Sequence, residues 1–116
     1  MSRKLIKKES KVREMISISD GILSDKQAFD LYVSGKSMEP EIADGDIVIV
    51  NPGITELKKG ELGVFRIHNE TTIKRCVPIK NGYILQPTNP QYEPILIHDD
   101  TECILIGKVI YKIVKC

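Results

Sequence analysis

Short runs of alternating apolar and polar residues dominate the chain from about residue 28 onward, and turn-forming residues separate them. In the first run, residues 28–33, the side chains of Phe29, Leu31 and Val33 would share one face of an extended strand. Further runs follow at 46–50, 61–67, 71–77, 82–86, 94–97 and 102–115. About seven closely spaced strands without a helical pattern between them predict a small, mostly β domain, an antiparallel folded sheet or barrel.

The residues between the runs are typical of tight connections. Asn81-Gly82 predicts a two-residue hairpin, and His68 lies in another short connection. The last run changes phase near Gly107, which predicts a bulge or bend there. Because an apolar terminal strand would leave an exposed sheet edge, we expect a second copy of the chain to cover it.

The first 27 residues do not follow this pattern. Residues 2–16 are the best helical candidate, although an extended arm fits them equally well. Residues 1–14 carry six basic and two acidic side chains, which is typical of a solvated tail or helix face. We therefore expect an N-terminal arm or short helix over 1–27 and one folded domain over 28–116.

Composition narrows the class of protein. The chain has 18 Ile and 8 Val against 8 Leu and 2 Ala, and this excess of β-branched residues excludes a helical bundle. At 116 residues the chain has room for one domain. The net charge of +1 excludes a nucleic-acid binder that works through a strong overall positive field.

The cysteines and the lack of long apolar runs indicate a location. Cys76, Cys103 and Cys116 are widely spaced and form neither a CxxC pair nor a zinc-like cluster, so we expect reduced thiols, no metal and no cofactor. No run approaches the roughly 18 apolar residues of a membrane helix, and no signal-peptide core follows the N-terminal lysines. The expectation is a cytoplasmic protein without a membrane partner.

Candidate chemistry lies in residues 35–50, GKSMEPEIADGDIVIV. Gly35 permits an unusual backbone angle before Ser37, and Pro40 fixes the turn that follows. A serine held in such a turn has its backbone N–H free of any strand ladder, an arrangement suited to an oxyanion hole.

A serine hydroxyl needs a base to become a nucleophile. His68 lies in a predicted turn and His98 lies beside two aspartates, so both are interpreted as surface residues. Lys74 lies within a predicted strand, where burial would disfavour its charged form and let it act as the base. Ser–Lys dyads are known variants of the catalytic triad, although an isolated serine and lysine in strands are usually structural.

Three blocks taken together resemble the LexA-type self-cleaving peptidase family, which includes LexA, the UmuD proteins and many phage repressors. Residues 33–51 (VSGKSMEPEIADGDIVIVN) are similar to the family's nucleophile motif. Residues 71–75 (TTIKR) are similar to its lysine motif, and residues 85–95 (LQPTNPQYEPI) to the segment that follows. The blocks occur in the family's order, and the resemblance covers residues 29 to about 114.

The resemblance implies a mostly β LexA-type peptidase C-terminal domain in which Ser37 is the nucleophile and Lys74 the general base. The backbone N–H groups of Ser37 and Met38 would hold the oxyanion. The domain would form a homodimer, partly through its C-terminal strand. It would cleave a peptide bond of its own chain, upstream of the nucleophile, when the RecA–single-stranded DNA filament stimulates it in the SOS response.

The sequence departs from the family in two ways. The 36 residues before Ser37 leave no room for the helix-turn-helix domain of the repressors, and none of the eight glycines follows Ala or Cys, as the usual Ala-Gly or Cys-Gly scissile bond requires. We interpret the chain as the autocatalytic and dimerisation domain of a LexA-like or phage-type transcriptional repressor that contacts DNA only through the missing domain. The alternative is a UmuD-like processed subunit of a translesion polymerase, a dimeric binding module. Signal peptidase I, with a similar SMxP…GD pattern and a Ser–Lys dyad, is less favoured because it requires a membrane anchor.

Overall fold

The computed structural model describes residues 12–17 and 28–115, and all regular structure in these ranges is β-strand. The eight strands, in chain order, are β1 (Val12–Ser17), β2 (Phe29–Tyr32), β3 (Ile47–Asn51), β4 (Leu62–Ile67), β5 (Glu70–Ile79), β6 (Gly82–Gln86), β7 (Ile95–His98) and β8 (Cys103–Lys115). Each of the seven apolar runs predicted from the sequence coincides with one of the strands β2 to β8.

The strands form one curled antiparallel sheet in the order β2-β3-β8-β4-β5-β6-β7, and β1 pairs with β8 beside this path. Strands that follow one another in sequence are paired from β2 to β3 and from β4 to β7. The last strand, β8, lies between β3 and β4. The mostly β, antiparallel fold class predicted from the sequence is therefore confirmed.

The centre of the sheet is buried on both faces. Val64 and Ile73 pair across β4 and β5 and contribute to one apolar cluster, together with residues of β2 and β3. Phe65 and Cys76 point to the opposite face and contribute to a second cluster. Because apolar groups cover both faces here, a polar side chain on β5 such as Lys74 is removed from water.

The two hairpin turns have the backbone angles that their residue types favour. His68 and Asn69 join β4 to β5 with φ values of 48° and 70°, the signature of a type I′ turn. In the next hairpin, Asn81 has a φ of 63°, and a Cβ on Gly82 would lie 1.9 Å from the carbonyl oxygen of Ile97. The predicted Asn-Gly hairpin is confirmed, although its glycine is the first residue of β6.

The last strand differs from the expectation in one respect. The predicted bulge near Gly107 is confirmed, because the pairing register between β4 and β8 shifts at this point. The expectation that β8 needs a second copy to cover its edge is wrong. Inside the chain, β4 and β1 pair with one side of β8 and β3 pairs with the other.

The helical alternative for residues 2–16 is wrong where it can be compared. Residues 12–17 form a strand, and they do so because the backbone of β8 between residues 111 and 115 offers them a pairing partner. Tertiary pairing of this kind overrides weak local propensity. Residues 1–11 and 18–27 lie outside the described part of the chain, so the boundary at residue 27 stays a prediction, and Cys116 also lies outside it. The described residues contain no helix of the length and apolarity that a membrane span requires.

Candidate active site

The serine predicted as a nucleophile lies in the connection between β2 and β3, which we call the serine loop (residues 34–46). Gly35 has a φ of +98°, as predicted from its place before Ser37. Acidic side chains fold the loop on itself: the N–H of Gly35 donates to Asp44 Oδ1 at 2.8 Å, and the N–H of Ala43 donates to Asp46 Oδ2 at 2.9 Å. The loop conformation is therefore specified locally.

The part of the serine loop after Ser37 is fixed in the core. Met38 and Ile42 are buried in the cluster that Val64 also joins, and the N–H of Ile42 donates to the carbonyl oxygen of Met38 at 2.8 Å. Ser37 itself is half-buried. A turn anchored by two buried side chains therefore holds the serine from its C-terminal side.

Lys74 meets Ser37 at this point. The Lys74 side chain, on β5, is buried, and its Nζ lies 2.8 Å from Ser37 Oγ. The same Nζ donates to the carbonyl oxygen of Ile73 at 3.1 Å and to Thr72 Oγ1. The two residues that the sequence singled out, 37 positions apart, thus lie within hydrogen-bond distance.

The surroundings of Lys74 favour its neutral form. Burial lowers the pKa of Lys74, and in the described part of the chain no carboxylate forms an ion pair with it. A neutral amine can accept the proton of a serine hydroxyl, whereas an ammonium cannot. The geometry and the electrostatics therefore suit general-base chemistry.

The other candidate groups do not join this pair. His68 and His98 are exposed, the first in a turn and the second at the end of β7, and neither hydrogen bonds to Ser37 within residues 28–115. In the described ranges no three or more His, Cys, Asp or Glu side chains are arranged to hold a metal ion.

A surface cleft of about 230 Å³ opens beside Ser37, between β2 and the start of β5. Its apolar lining comes from Leu31, Val33, Met38 and Ile73. β2 is an edge strand of the sheet, and Val33 directs its own N–H and C=O toward residues 45 and 46. The cleft therefore lies at the edge of the sheet, next to Ser37.

Comparison with known proteins shows which protein family the chain belongs to. The sequence matches the family model described as Peptidase S24-like over residues 3–110. The chain belongs to this family. The match includes Ser37, Lys74 and every strand from β1 to β7, so the whole site lies within the S24-like region.

Curated relatives agree with this assignment. The LexA repressor of Clostridium novyi is 40% identical over 89 residues, which is 76% of this chain and 43% of the relative. The LexA repressor of Clostridium perfringens is 43% identical over 84 residues, or 71% of this chain and 39% of the relative. The LexA repressor of Brevibacillus brevis is 35% identical over 100 residues, which is 85% of this chain and 47% of the relative. The chain is a LexA-like peptidase domain, and it spans less than half the length of these relatives.

Sequence reasoning gave no role to the segment after β6 in this S24-like domain, although it noted the block over 85–95. The N–H of Asn89 donates to the carbonyl oxygen of Ser37 at 2.9 Å, and Asn89 Nδ2 donates to that of Lys36 at 3.0 Å. The proline after Asn89 marked a turn, but these contacts bridge some 50 positions, and nothing in the local pattern could have indicated them.

A second set of contacts, which the sequence did not predict, fixes the serine loop to β5. Glu41 forms an ion pair with Arg75, the residue next to Lys74, and accepts a hydrogen bond of 2.8 Å from Thr88 Oγ1. Burial tends to raise the pKa of Glu41, but the hydrogen bonds from Arg75 and Thr88 outweigh it and hold the pKa below its usual value. The S24-like domain thus connects the serine loop and the lysine strand through charged side chains.

Proposed function

We propose that this chain is the self-cleaving and dimerisation domain of a LexA-like transcriptional repressor, a serine endopeptidase with Ser37 as nucleophile and Lys74 as general base. The observation that carries the proposal is the 2.8 Å contact between Lys74 Nζ and Ser37 Oγ, made by a buried lysine without a carboxylate partner in the described part of the chain.

The reaction follows from these positions. Neutral Lys74 takes the hydroxyl proton as Ser37 Oγ attacks the carbonyl carbon of a peptide bond. The N–H groups of Ser37 and Met38 donate to the oxygen that becomes negative, and within residues 28–115 no other acceptor uses them. The Lys74 ammonium then gives its proton to the leaving amine, and water, deprotonated by Lys74, hydrolyses the acyl-enzyme.

We propose that the substrate is an Ala-Gly or Cys-Gly bond of the longer polypeptide, upstream of this domain. We place the residue before the cleaved bond in the cleft beside Ser37, which Val33 and Ile73 help to line. Because the relatives are named LexA repressors and the chain spans less than half their length, we assign DNA binding to the remaining part. Stimulation by the RecA–single-stranded DNA filament in the cytoplasm, and pairing into a homodimer, complete the proposal.

The reactivity of Ser37 toward a fluorophosphonate tests the dyad without the natural substrate. The labelling rate should rise with pH, with a midpoint below the value of about 10.4 that is usual for lysine. Ser37→Ala should abolish labelling, and Lys74→Met should slow it by about 10²–10⁴, the usual contribution of a general base.

Lys108→Met is the matched control, because Lys108 is equally buried but pairs with Glu61. It should leave the labelling rate of the folded protein unchanged. Full-rate labelling of Lys74→Met would exclude Lys74 as the base.

A second candidate is the UmuD-like processed subunit, a dimeric binding module that no longer cleaves. The observation that favours it is the absence of any Ala-Gly or Cys-Gly pair from the printed sequence. A peptide with a central Ala-Gly bond separates the two: cleavage in trans that depends on Ser37 supports the peptidase. A stable dimer in sedimentation that labels but does not cleave supports the binding module.

A further inference from the structure

Asn89 contacts the two peptide units on either side of Ser37. Its backbone N–H donates to the carbonyl oxygen of Ser37 at 2.9 Å, and its side-chain Nδ2 donates to the carbonyl oxygen of Lys36 at 3.0 Å. These oxygens belong to the Ser37–Met38 and Lys36–Ser37 peptide groups. One residue thus holds two consecutive peptide planes.

Holding a carbonyl oxygen also orients an N–H. A trans peptide group is planar, and its N–H points opposite to its C=O. The bond to Lys36 O therefore sets the direction of the Ser37 N–H, and the bond to Ser37 O sets the direction of the Met38 N–H. We infer that Asn89 is a positioning residue that aims both N–H groups at the developing oxyanion, an inference that rests on the proposed function.

The orientation of the Asn89 side chain is itself fixed. Its Oδ1 accepts a hydrogen bond of 3.0 Å from the N–H of Gln91, and its carbonyl oxygen accepts one of 3.1 Å from the N–H of Tyr92. Because Oδ1 is engaged by a donor, the amide NH₂ is the group directed to Lys36. Thr88, the preceding residue, is bonded to Glu41, so the whole turn is attached to the serine loop.

The serine loop needs such support before Ser37. Residues 34–36 are exposed, and Gly35 adds backbone freedom there. The buried anchors Met38 and Ile42 all come after the serine. Apart from Asn89, the Lys36 carbonyl is held by the N–H of Glu39 at a longer 3.2 Å. The Lys36–Ser37 peptide is therefore the part of the oxyanion site that the Asn89 side chain holds, through the shorter of its two contacts.

Fluorophosphonate labelling of the 116-residue chain across a pH range tests this role, because the phosphoryl oxygen occupies the oxyanion position. Asn89→Asp and Asn89→Ser both keep an oxygen for the Gln91 N–H and lose the amide that donates to Lys36; Asp has no donor there, and Ser has only a hydroxyl on a shorter side chain. Removing an oxyanion donor outright costs about 10²–10³ in rate, so we expect the high-pH plateau to fall by about tenfold or more in both. The Asn89→Ser midpoint should not move, because no contact of Lys74 is changed.

Asn81→Asp is the control, since it makes the same amide-to-acid change in an exposed turn at the far end of β5. It should label at the rate of the unchanged chain. A normal plateau in Asn89→Ser, or a shifted midpoint with a normal plateau, overturns the inference. If the unchanged chain labels no faster than Ser37→Ala, the proposed function fails instead.

Discussion

Two lysines of this domain are equally buried and have opposite kinds of partner. Lys74 is 5% exposed and Lys108 is 6% exposed, and Gly63 of β4 pairs with both, with Lys74 on β5 and Lys108 on β8. Lys108 forms an ion pair with Glu61, whereas Lys74 contacts two hydroxyl groups and one carbonyl oxygen.

The difference lies in which protonation state the surroundings stabilise. The Glu61 carboxylate compensates the buried charge of Lys108. The contacts of Lys74 offer only neutral dipoles, and burial lowers its pKa. Depth alone therefore does not make a lysine into a base. The absence of a counter-charge does, and each of the changes below alters one of the two lysines or its counter-charge.

Removing the counter-charge of Lys108 should have the largest effect on stability. Glu61→Gln leaves a buried ammonium unpaired, and we expect it to lower the free energy of unfolding by about 3 kcal/mol at neutral pH. Burial tends to raise the pKa of Glu61, but the hydrogen bonds from Lys108 and the Lys58 N–H, together with the positive charges of these two lysines, hold the pKa below its usual value. Its contribution should therefore be present at neutral pH and be lost as the pH falls below about 4.

Denaturant titrations at pH 7 and under acid conditions measure this effect. Glu56→Gln, at an exposed acid of the same connection, is the control and should change stability little. A Glu61→Gln protein as stable as that control would show that Lys108 does not depend on the carboxylate.

Giving Lys74 a counter-charge should make it resemble Lys108. Thr72 Oγ1 already accepts a hydrogen bond from Lys74 Nζ, so Thr72→Asp places a carboxylate beside the ammonium. An opposite charge at this range raises a lysine pKa by about 1–3 pH units, and the midpoint of the pH–labelling profile should rise accordingly. Thr72→Asn is the control, because an asparagine side chain has the same shape as aspartate without its charge. It should keep the midpoint near that of the unchanged protein. An unmoved midpoint in Thr72→Asp would mean that the profile reports another group.

Removing Lys74 should have the smallest effect and the opposite sign. Because its folded-state pKa is lowered, Lys74 binds protons less well in the folded than in the unfolded state, and this costs stability at neutral pH. Lys74→Met should therefore stabilise the domain by about 1 kcal/mol at pH 7. The gain should shrink as the pH rises toward the unfolded-state value of about 10.4. Thermal unfolding at pH 7 and pH 10 measures the change, and a gain that grows with pH would contradict this account.

Local pattern was sufficient to predict much of the site. The alternation in residues 71–77 predicted that Lys74 leaves solvent, and the glycine and proline around Ser37 predicted a turn, because both signals depend on near neighbours. The strands β2 to β8 were predicted for the same reason. The helical alternative for residues 12–17 failed because a distant strand, β8, decides their structure.

Contacts between distant segments could not be predicted from the local pattern, and the pairing of Ser37 with Lys74 was expected only from the family resemblance. The local pattern does not show which of the two buried lysines has a carboxylate partner, because only the fold brings Glu61 to Lys108. The same holds for Asn89, which reaches the serine loop across the sheet. The chemistry of a buried charge depends on its partners, and partners come from topology.

Gly63 makes room for an apolar group beside the two lysines. A Cβ at this position would lie 2.5 Å from Leu57 Cδ1, so a methyl group of Leu57 occupies the place of the absent side chain, on the face that both lysines share. The lysine backbones are two strand spacings apart, about 9–10 Å. Leu57 therefore takes up the space that a side chain at position 63 would fill beside both lysines, and in the described part of the chain Glu61 pairs with Lys108 alone. A residue without a side chain thus lets hydrocarbon, and not water, occupy the space next to both lysines.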